Sequence, residues 1–340
     1  MRQRARLKDI ADQTGFSTNT VSLALHGSPL VAEETSKAIW AVARQLKYRP
    51  NHLARSLVSR QSKTIGLILT NIQNPILTRA AQAMQSVLAE HRYATLFAAS
   101  NHSIEEEKEA LELFLTRQVD GILIYPNNPE EWAHIGDVVA HGTPVVMLAG
   151  GPGADVETVS FDACGGARMA TEYLIGLGHR HIALIDNSAA LGNREKLNGY
   201  MQALEAAQLP IDKSLLLDPL GFDAGHGYEA MERLMRGSSR FTAVLAANDM
   251  LAMGALHCCS ANGMKVPEDI SVVGFDNIEL SAHSIPPLTT INYAADELSR
   301  RAVERLLRLV EQDDAEEAEP QVELVAPRLV IRASTARPKE

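Results

Sequence analysis

Gly15-Phe16-Ser17-Thr18-Asn19-Thr20-Val21-Ser22-Leu23-Ala24-Leu25 is the stretch that decides how this 340-residue chain is read. Gly15 can take φ > 0 and stop a preceding helix, and Ser17 can cap the next by accepting a bond from an unpaired backbone N–H. Just upstream, Leu7, Ile10 and Ala11 fall at i, i+3, i+4 and give a short first helix its apolar stripe. In the second helix Val21, Ala24 and Leu25 share a packing face. Thr18, Asn19 and Ser22 are left with donors and acceptors suited to base edges and phosphates. The pattern is that of a DNA-binding helix-turn-helix. An ordinary αα-hairpin whose Ser, Thr and Asn face water is the plain alternative, because so short a motif is only a hypothesis.

Working outward, Ile39, Val42, Ala43 and Leu46 predict a third helix, with Glu33 and Glu34 near its positive N-terminal end. Pro50 then blocks continuation, and Asn51 can start a further helix of about two turns. A helix that short forms only against a partner or DNA, which makes the segment a candidate hinge, with a plain linker as the alternative. Charge divides the chain in the same place. Residues 1–63 hold eleven Lys or Arg against four acids, a net +7, so the rest carries −17 of the overall −10. A basic module on an acidic body suits phosphate binding at one end, whereas the whole-chain pI of 5.6 alone argues against nucleic acid.

The roughly 277 residues from Thr64 onward suffice for two lobes with cores of their own. Near-continuous apolar runs at Ile65–Leu69, Gly121–Ile124, Pro144–Leu148, His181–Ile185, Ala243–Ala246 and Ser271–Phe275 read as strands buried on both faces, as in parallel sheets. Amphipathic segments between them, such as Ala80, Ala83, Met84, Val87, Leu88 and Met169, Ala170, Tyr173, Leu174, fit crossover helices. In such sheets ligands lie beyond the carboxyl ends of the strands. Asp186-Asn187, Asn248-Asp249 and Asp276 follow three of the runs and are pocket candidates, with loop turns or helix caps as the alternative for each. Asp249 is the strongest, because a carboxylate accepting bonds from two neighbouring hydroxyls grips a sugar well.

No catalytic constellation and no cofactor or metal ligand set is evident. The histidines are scattered, and His179 and His181 read as structural. Gly150-Gly151-Pro152-Gly153 lacks the N–H donors of a phosphate cradle. Cys164, Cys258 and Cys259 form no CxxC pair, and no apolar run approaches a membrane span. The expectation is a cytoplasmic protein that is not an enzyme; a solute-binding protein is disfavoured by the basic head and the missing export signal.

Taken together, the chain resembles the lactose-repressor/galactose-repressor (LacI/GalR) family of bacterial transcription regulators over essentially its whole length. The motifs are Leu7-Lys8-Asp9-Ile10-Ala11, Thr20-Val21-Ser22, Tyr48-Arg49-Pro50-Asn51, Val119-Asp120-Gly121-Ile122, Gly178-His179-Arg180, Ala247-Asn248-Asp249-Met250-Leu251-Ala252-Met253-Gly254-Ala255, Val266-Pro267, Gly274-Phe275-Asp276 and Pro287-Leu288-Thr289-Thr290-Ile291. The resemblance implies an all-α helix-turn-helix head (1–49), a hinge helix and linker (50–63), and an α/β body (64–340). That body would be a periplasmic-binding-protein-like, two-lobed effector domain with parallel sheets. Its N-lobe would span about 64–160 plus 292–323 and its C-lobe about 161–291 plus 324–340.

It also implies a homodimer on a pseudo-palindromic double-stranded operator, released by a small effector. The DNA-facing set carried over is Arg6, Leu7, Ser17, Thr18, Asn19, Thr20, Ser22, Leu23 and His26, with Asn51, His52, Ala54 and Leu57 in the hinge. Leu23 departs from an Arg common in the family; it can touch a thymine methyl but cannot read guanine bidentately. Ala32 stands at the usual Ser cap of the third helix. The effector set is Ile76, Lys196, Phe222, Asn248, Asp249 and Asp276. Lys196 replaces a usual Arg, and Ala149 stands where several members carry Asp. Ile76 and Leu77 stand where a purine-responsive member would present aromatics, which ranks a sugar or sugar derivative above a nucleobase. A repressor of a carbohydrate uptake or catabolism operon is the expected function; a corepressor-dependent regulator responding to a nucleobase or other metabolite is the alternative. The helix bearing Ala80, Ala83, Met84 and Val87 is either dimer surface or intrachain core.

Overall fold

A computed structural model describes residues 5–25, 27–48, 61–128, 131–150, 155–186, 194–311 and 320–339. The chain divides into two compact units, residues 1–62 and 63–340. In the first, α1 (Leu7–Thr14), α2 (Thr18–Leu25) and α3 (Glu33–Gln45) pack around Ile10, Ala11, Val21, Ala24, Ile39 and Ala43. Gly15 closes α1 in the left-handed region at φ 73°, its N–H donating to the Ala11 carbonyl, a conformation a side chain would strain. Ala32 precedes α3 without a side-chain cap, leaving Glu33 and Glu34 to complement the helix dipole.

The second unit holds two six-stranded sheets. Its N-lobe contains β1 (Thr64–Leu69), α4 (Pro75–Glu90), β2 (Ala94–Ala99), α5 (Ile104–Thr116), β3 (Gly121–Ile124), α6 (Ala133–Ala140), β4 (Val145–Met147) and β5 (Thr158–Phe161). The chain then enters the C-lobe through α7 (Ala163–Leu177), β6 (Ile182–Ile185), α8 (Glu195–Ala206), β7 (Leu216–Leu217), α9 (Ala224–Arg236), β8 (Ala243–Ala246), α10 (Asp249–Ala261), β9 (Ser271–Phe275) and β10 (Thr289–Asn292). It returns through α11 (Ala295–Glu311) and β11 (Val322–Val325), and crosses again to β12 (Arg328–Val330). The strand orders are β11-β5-β4-β3-β1-β2 and β12-β10-β9-β8-β6-β7. Within them only β10 and β12 pair antiparallel. The chain therefore passes between lobes three times.

Every strand anticipated from an apolar run is present and buried on both faces as parallel sheets require, apart from half-buried Pro144 and exposed His181, which precede their strands. Ala80, Met84, Val87 and Leu88 of α4 belong to the intrachain core, facing Leu298, Ala302 and Val303 of α11, and Ser299 Oγ donates to the Ala80 carbonyl at 3.2 Å. Of the four residues named for that face, Ala80, Met84 and Val87 lie in the core and Ala83 is half-buried. Among the described residues no helix is long and apolar enough to cross a membrane.

Candidate functional site

In the helix-turn-helix, Ser17 Oγ accepts the Thr20 N–H at 3.0 Å and lies 2.9 Å from Thr20 Oγ1, so it caps α2. This satisfies one orphan donor and fixes the turn. Thr18 and Asn19, at the start of α2, are exposed, whereas Thr20, Ser22 and Leu23 are half-buried. The Arg6 backbone N–H donates to Asp9 Oδ2 at 2.7 Å, leaving its side chain exposed, and Leu7 packs partly against the head core. His26 and the hinge positions Asn51, His52, Ala54 and Leu57 lie outside the described residues.

The second site is a cavity of about 180 Å³ between the lobes, at the carboxyl ends of both sheets. Thr70 and Asn71 follow β1, Tyr125, Pro126 and Asn127 follow β3, and Ala149 lies beyond β4. From the C-lobe, Ala247 and Asn248 follow β8, Asp276 follows β9, and Phe222 and Lys196 come from the loop before α9 and the first turn of α8. Phe161 and Tyr293 sit at two of the lobe crossings and stack on each other, centroids 4.3 Å apart. Ile76 and Leu77 line the mouth; Asn74 caps their helix, accepting the Ile76 N–H at 3.2 Å. The positions anticipated at Ile76, Lys196, Phe222, Asn248 and Asp276 thus come together in one cavity.

Asp249 does not join them. It is wholly buried behind the pocket: Oδ1 accepts the Thr290 hydroxyl at 2.6 Å and Oδ2 the Ile278 N–H at 2.8 Å. Gly274 is required beside it, since a Cβ there would collide with Oδ1. Burial pushes the Asp249 carboxyl up to about 6, against these hydrogen bonds and the nearby Arg332, which pull the other way. The expectation of a sugar grip at Asp249 is therefore corrected: opening α10 turns the neighbour of a pocket residue into the core. Asp276 is the pocket carboxylate. Its backbone is held at φ 110°, an uncommon region for a side-chain-bearing residue, by an N–H bond to the Ile291 carbonyl. Burial raises its carboxyl well above the ordinary range, with Lys196 opposing and Asp249 reinforcing the shift.

The Lys196 ammonium donates to the Ala247 carbonyl at 2.6 Å and lies 4.5 Å above the Phe275 ring. Asn248 has two roles at once. Its Oδ1 caps α10 by accepting the Leu251 N–H, and its Nδ2 donates to the Phe222 carbonyl, tying the two C-lobe pocket loops together. In the N-lobe, Asn127 is held by Ser100 Oγ and the Ser103 carbonyl, with Glu107 Oε2 accepting its N–H. Tyr125 is 6% exposed and its hydroxyl finds no partner among the described residues. A buried hydroxyl of that kind is costly to leave unpaired. Reading the sequence missed Tyr125 although it directly follows an apolar run, the rule that found Asp276; Phe161, Tyr293 and His102 carried no such signal.

Comparison with known proteins agrees with this arrangement. Residues 6–51 match the model of bacterial regulatory proteins of the lacI family, and residues 171–335 that of a periplasmic binding protein-like domain. The chain is 32% identical to the HTH-type transcriptional repressor PurR of Glaesserella parasuis, over 97% of this chain and 98% of that protein. The chain belongs to the LacI family. PurR of Escherichia coli O1:K1 is similar at 33% identity, over 98% of this chain and 97% of that protein. Among solved structures, a lac repressor dimer bound to operator and the anti-inducer ONPF superposes with a TM-score of 0.87 at 27% identity, covering 98% and 100% of the two chains. A complex of the regulator CelR with cellobiose gives 0.71 at 28%, over 97% and 100%. As a LacI-family member the chain is a DNA-binding transcriptional repressor, not an enzyme.

Proposed function

We propose that the repressor acts as a homodimer on a pseudo-palindromic operator and is released when a neutral sugar or sugar derivative fills the cavity between its lobes. The observation that carries this reading is the lining itself. One buried carboxylate, Asp276, and one unpartnered phenol, Tyr125, approach from opposite lobes, with amides of Asn127 and Asn248 nearby and aromatic faces at Phe161 and Tyr293. Hydroxyl groups both donate and accept, and a pyranose offers apolar faces to aromatic rings, so this set answers a polyhydroxyl ligand. The single ammonium, Lys196, is already engaged by a carbonyl and opposes Asp276, which speaks against a multiply charged ligand.

A ligand held by groups from both lobes prefers the state in which they are close, and only such a preference can shift operator affinity. In the head, Ser17, Thr18, Asn19, Thr20 and Ser22 would meet phosphates and base edges with Arg6, Leu7 and His26. Leu23 would meet a thymine methyl, and Asn51, His52, Ala54 and Leu57 would act in the hinge.

A nucleobase acting as corepressor is the second reading. The likeness to the repressors named PurR favours it, and so does the Phe161–Tyr293 stack, which supplies aromatic surface despite Ile76 and Leu77 at the mouth. Thermal-shift titration with D-ribose, D-galactose, cellobiose, hypoxanthine and guanine separates the two, since a native-state ligand raises Tm. A shift with a sugar alone supports the first reading; a shift with a base alone replaces it with the second.

A further inference from the structure

One contact at the cavity crosses the cleft without any ligand. His102, from the N-lobe loop between β2 and α5, stacks on Phe222 of the C-lobe with ring centroids 4.5 Å apart and planes within 12°. Both rings line the cavity. His102 Nε2 is shielded from solvent and has no partner among the described residues. Burial lowers the tendency of this imidazole to protonate and so favours the neutral ring, which can donate or accept.

The loop is built to hold that ring. Asn101 and His102 take φ of 48° and 61°, two consecutive left-handed residues with side chains. Such strain persists only where the surroundings over-determine it and is common at ligand clamps. Here the His102 N–H donates to the Thr70 carbonyl at 3.2 Å, Asn101 Nδ2 to Glu106 Oε2 at 2.8 Å, and the Ser103 N–H to the Ser100 carbonyl at 2.8 Å. Phe222 is fixed in turn through Asn248, which binds its carbonyl. A surface histidine with no task needs neither the strained backbone nor a hidden nitrogen.

We propose that His102 is a specificity-determining effector-binding residue: stacked on Phe222 from the opposite lobe at the cavity wall, its ring turns on ligand entry and brings the otherwise shielded Nε2 to a hydroxyl of the bound sugar. This rests on the sugar reading given above. The stack is already formed without a ligand, so a bound sugar would add a bond to an existing contact across the cleft and favour the state in which the lobes hold it.

The test compares the full chain with His102→Phe, which keeps a stacking ring without a polar atom, and His102→Gln, which restores a polar group without the ring. Affinity is measured by calorimetry with whichever of D-ribose, D-galactose and cellobiose raises Tm most. The expected result is about a tenfold loss in His102→Phe, the size of one hydrogen bond, and a smaller loss in His102→Gln. In protein labelled with 15N-histidine, the same sugar should also move the His102 Nε2 resonance. Equal affinity of wild type and His102→Phe, with no Nε2 shift, overturns the assignment while leaving the sugar reading intact. If none of the three sugars binds wild type, the sugar reading and the assignment fall together.

Discussion

Two aspartates next to the ends of adjacent strands have opposite fates, and backbone context decides between them. Asp276 follows β9 on a strained turn of the cleft wall and, though buried, lines the cavity, whereas Asp249 begins α10 and is drawn into a closed network with Thr290 and Ile278. Asp276→Asn is accordingly expected to lower affinity for the proposed sugar by a factor of about 10 to 100, the worth of one or two hydrogen bonds to a buried carboxyl, while Asp249→Asn changes it less than about threefold. Calorimetry on the two variants checks this. The pH behaviour of Asp249 gives an independent check. Its carboxyl is raised from an ordinary 3.8 to about 6 in the folded chain, so the fold favours the neutral form. Its contribution to stability is present in full below pH 3.8 and is lost as pH rises through about 6. Relative to wild type, Asp249→Asn should therefore gain stability between about pH 4 and 6 and then hold level, measured as the difference in denaturation midpoints. Sequence adjacency could not separate the two aspartates, because which side chain a strand end leaves outside depends on the turn that follows.

At the scale of elements, what was legible was whatever a single run of residues determines. The strands of the sheet interiors are unbroken apolar runs, and Ser17 and Gly15 fix the turn of the head through local bonds. Ser17→Ala should cost about 0.5–2 kcal/mol of head stability and loosen DNA binding through the tilt of α2, checked by thermal unfolding and gel shift. The edge and crossing strands were not legible. β2 is half-exposed along its length, β5 interleaves Thr158 and Ser160 with its apolar residues, and β12 pairs antiparallel at a sheet margin, so none carries an unbroken apolar run. The aromatic wall of the cavity went unseen for the same reason, since Phe161 and Tyr293 belong to those short crossings. Close helix packing was equally invisible. A Cβ on Gly227 would run into the Leu251 carbonyl, and one on Gly254 into that of Ala224, so α9 and α10 meet backbone to backbone. Gly254→Ala is expected to destabilise the body by about 1–3 kcal/mol or more, with a matching fall in denaturation midpoint.

For the whole molecule, the division of charge and the division of structure coincide near residue 63, with the helix-turn-helix in one unit and the cavity in the other. A chain lacking residues 1–62 should keep sugar affinity within about twofold and lose DNA binding, because each unit has, among the described residues, a hydrophobic core of its own. The central claim is that a ligand between the lobes controls what the head does on DNA. Its most direct test is to select a duplex from a random-sequence library with the full chain and follow its binding by fluorescence anisotropy as the sugar identified by thermal shift is added. The account predicts a pseudo-palindromic duplex whose affinity falls at least tenfold with the sugar, an effect absent in Asp276→Asn. Binding that the sugar leaves unchanged or strengthens, or that falls equally in Asp276→Asn, would contradict it.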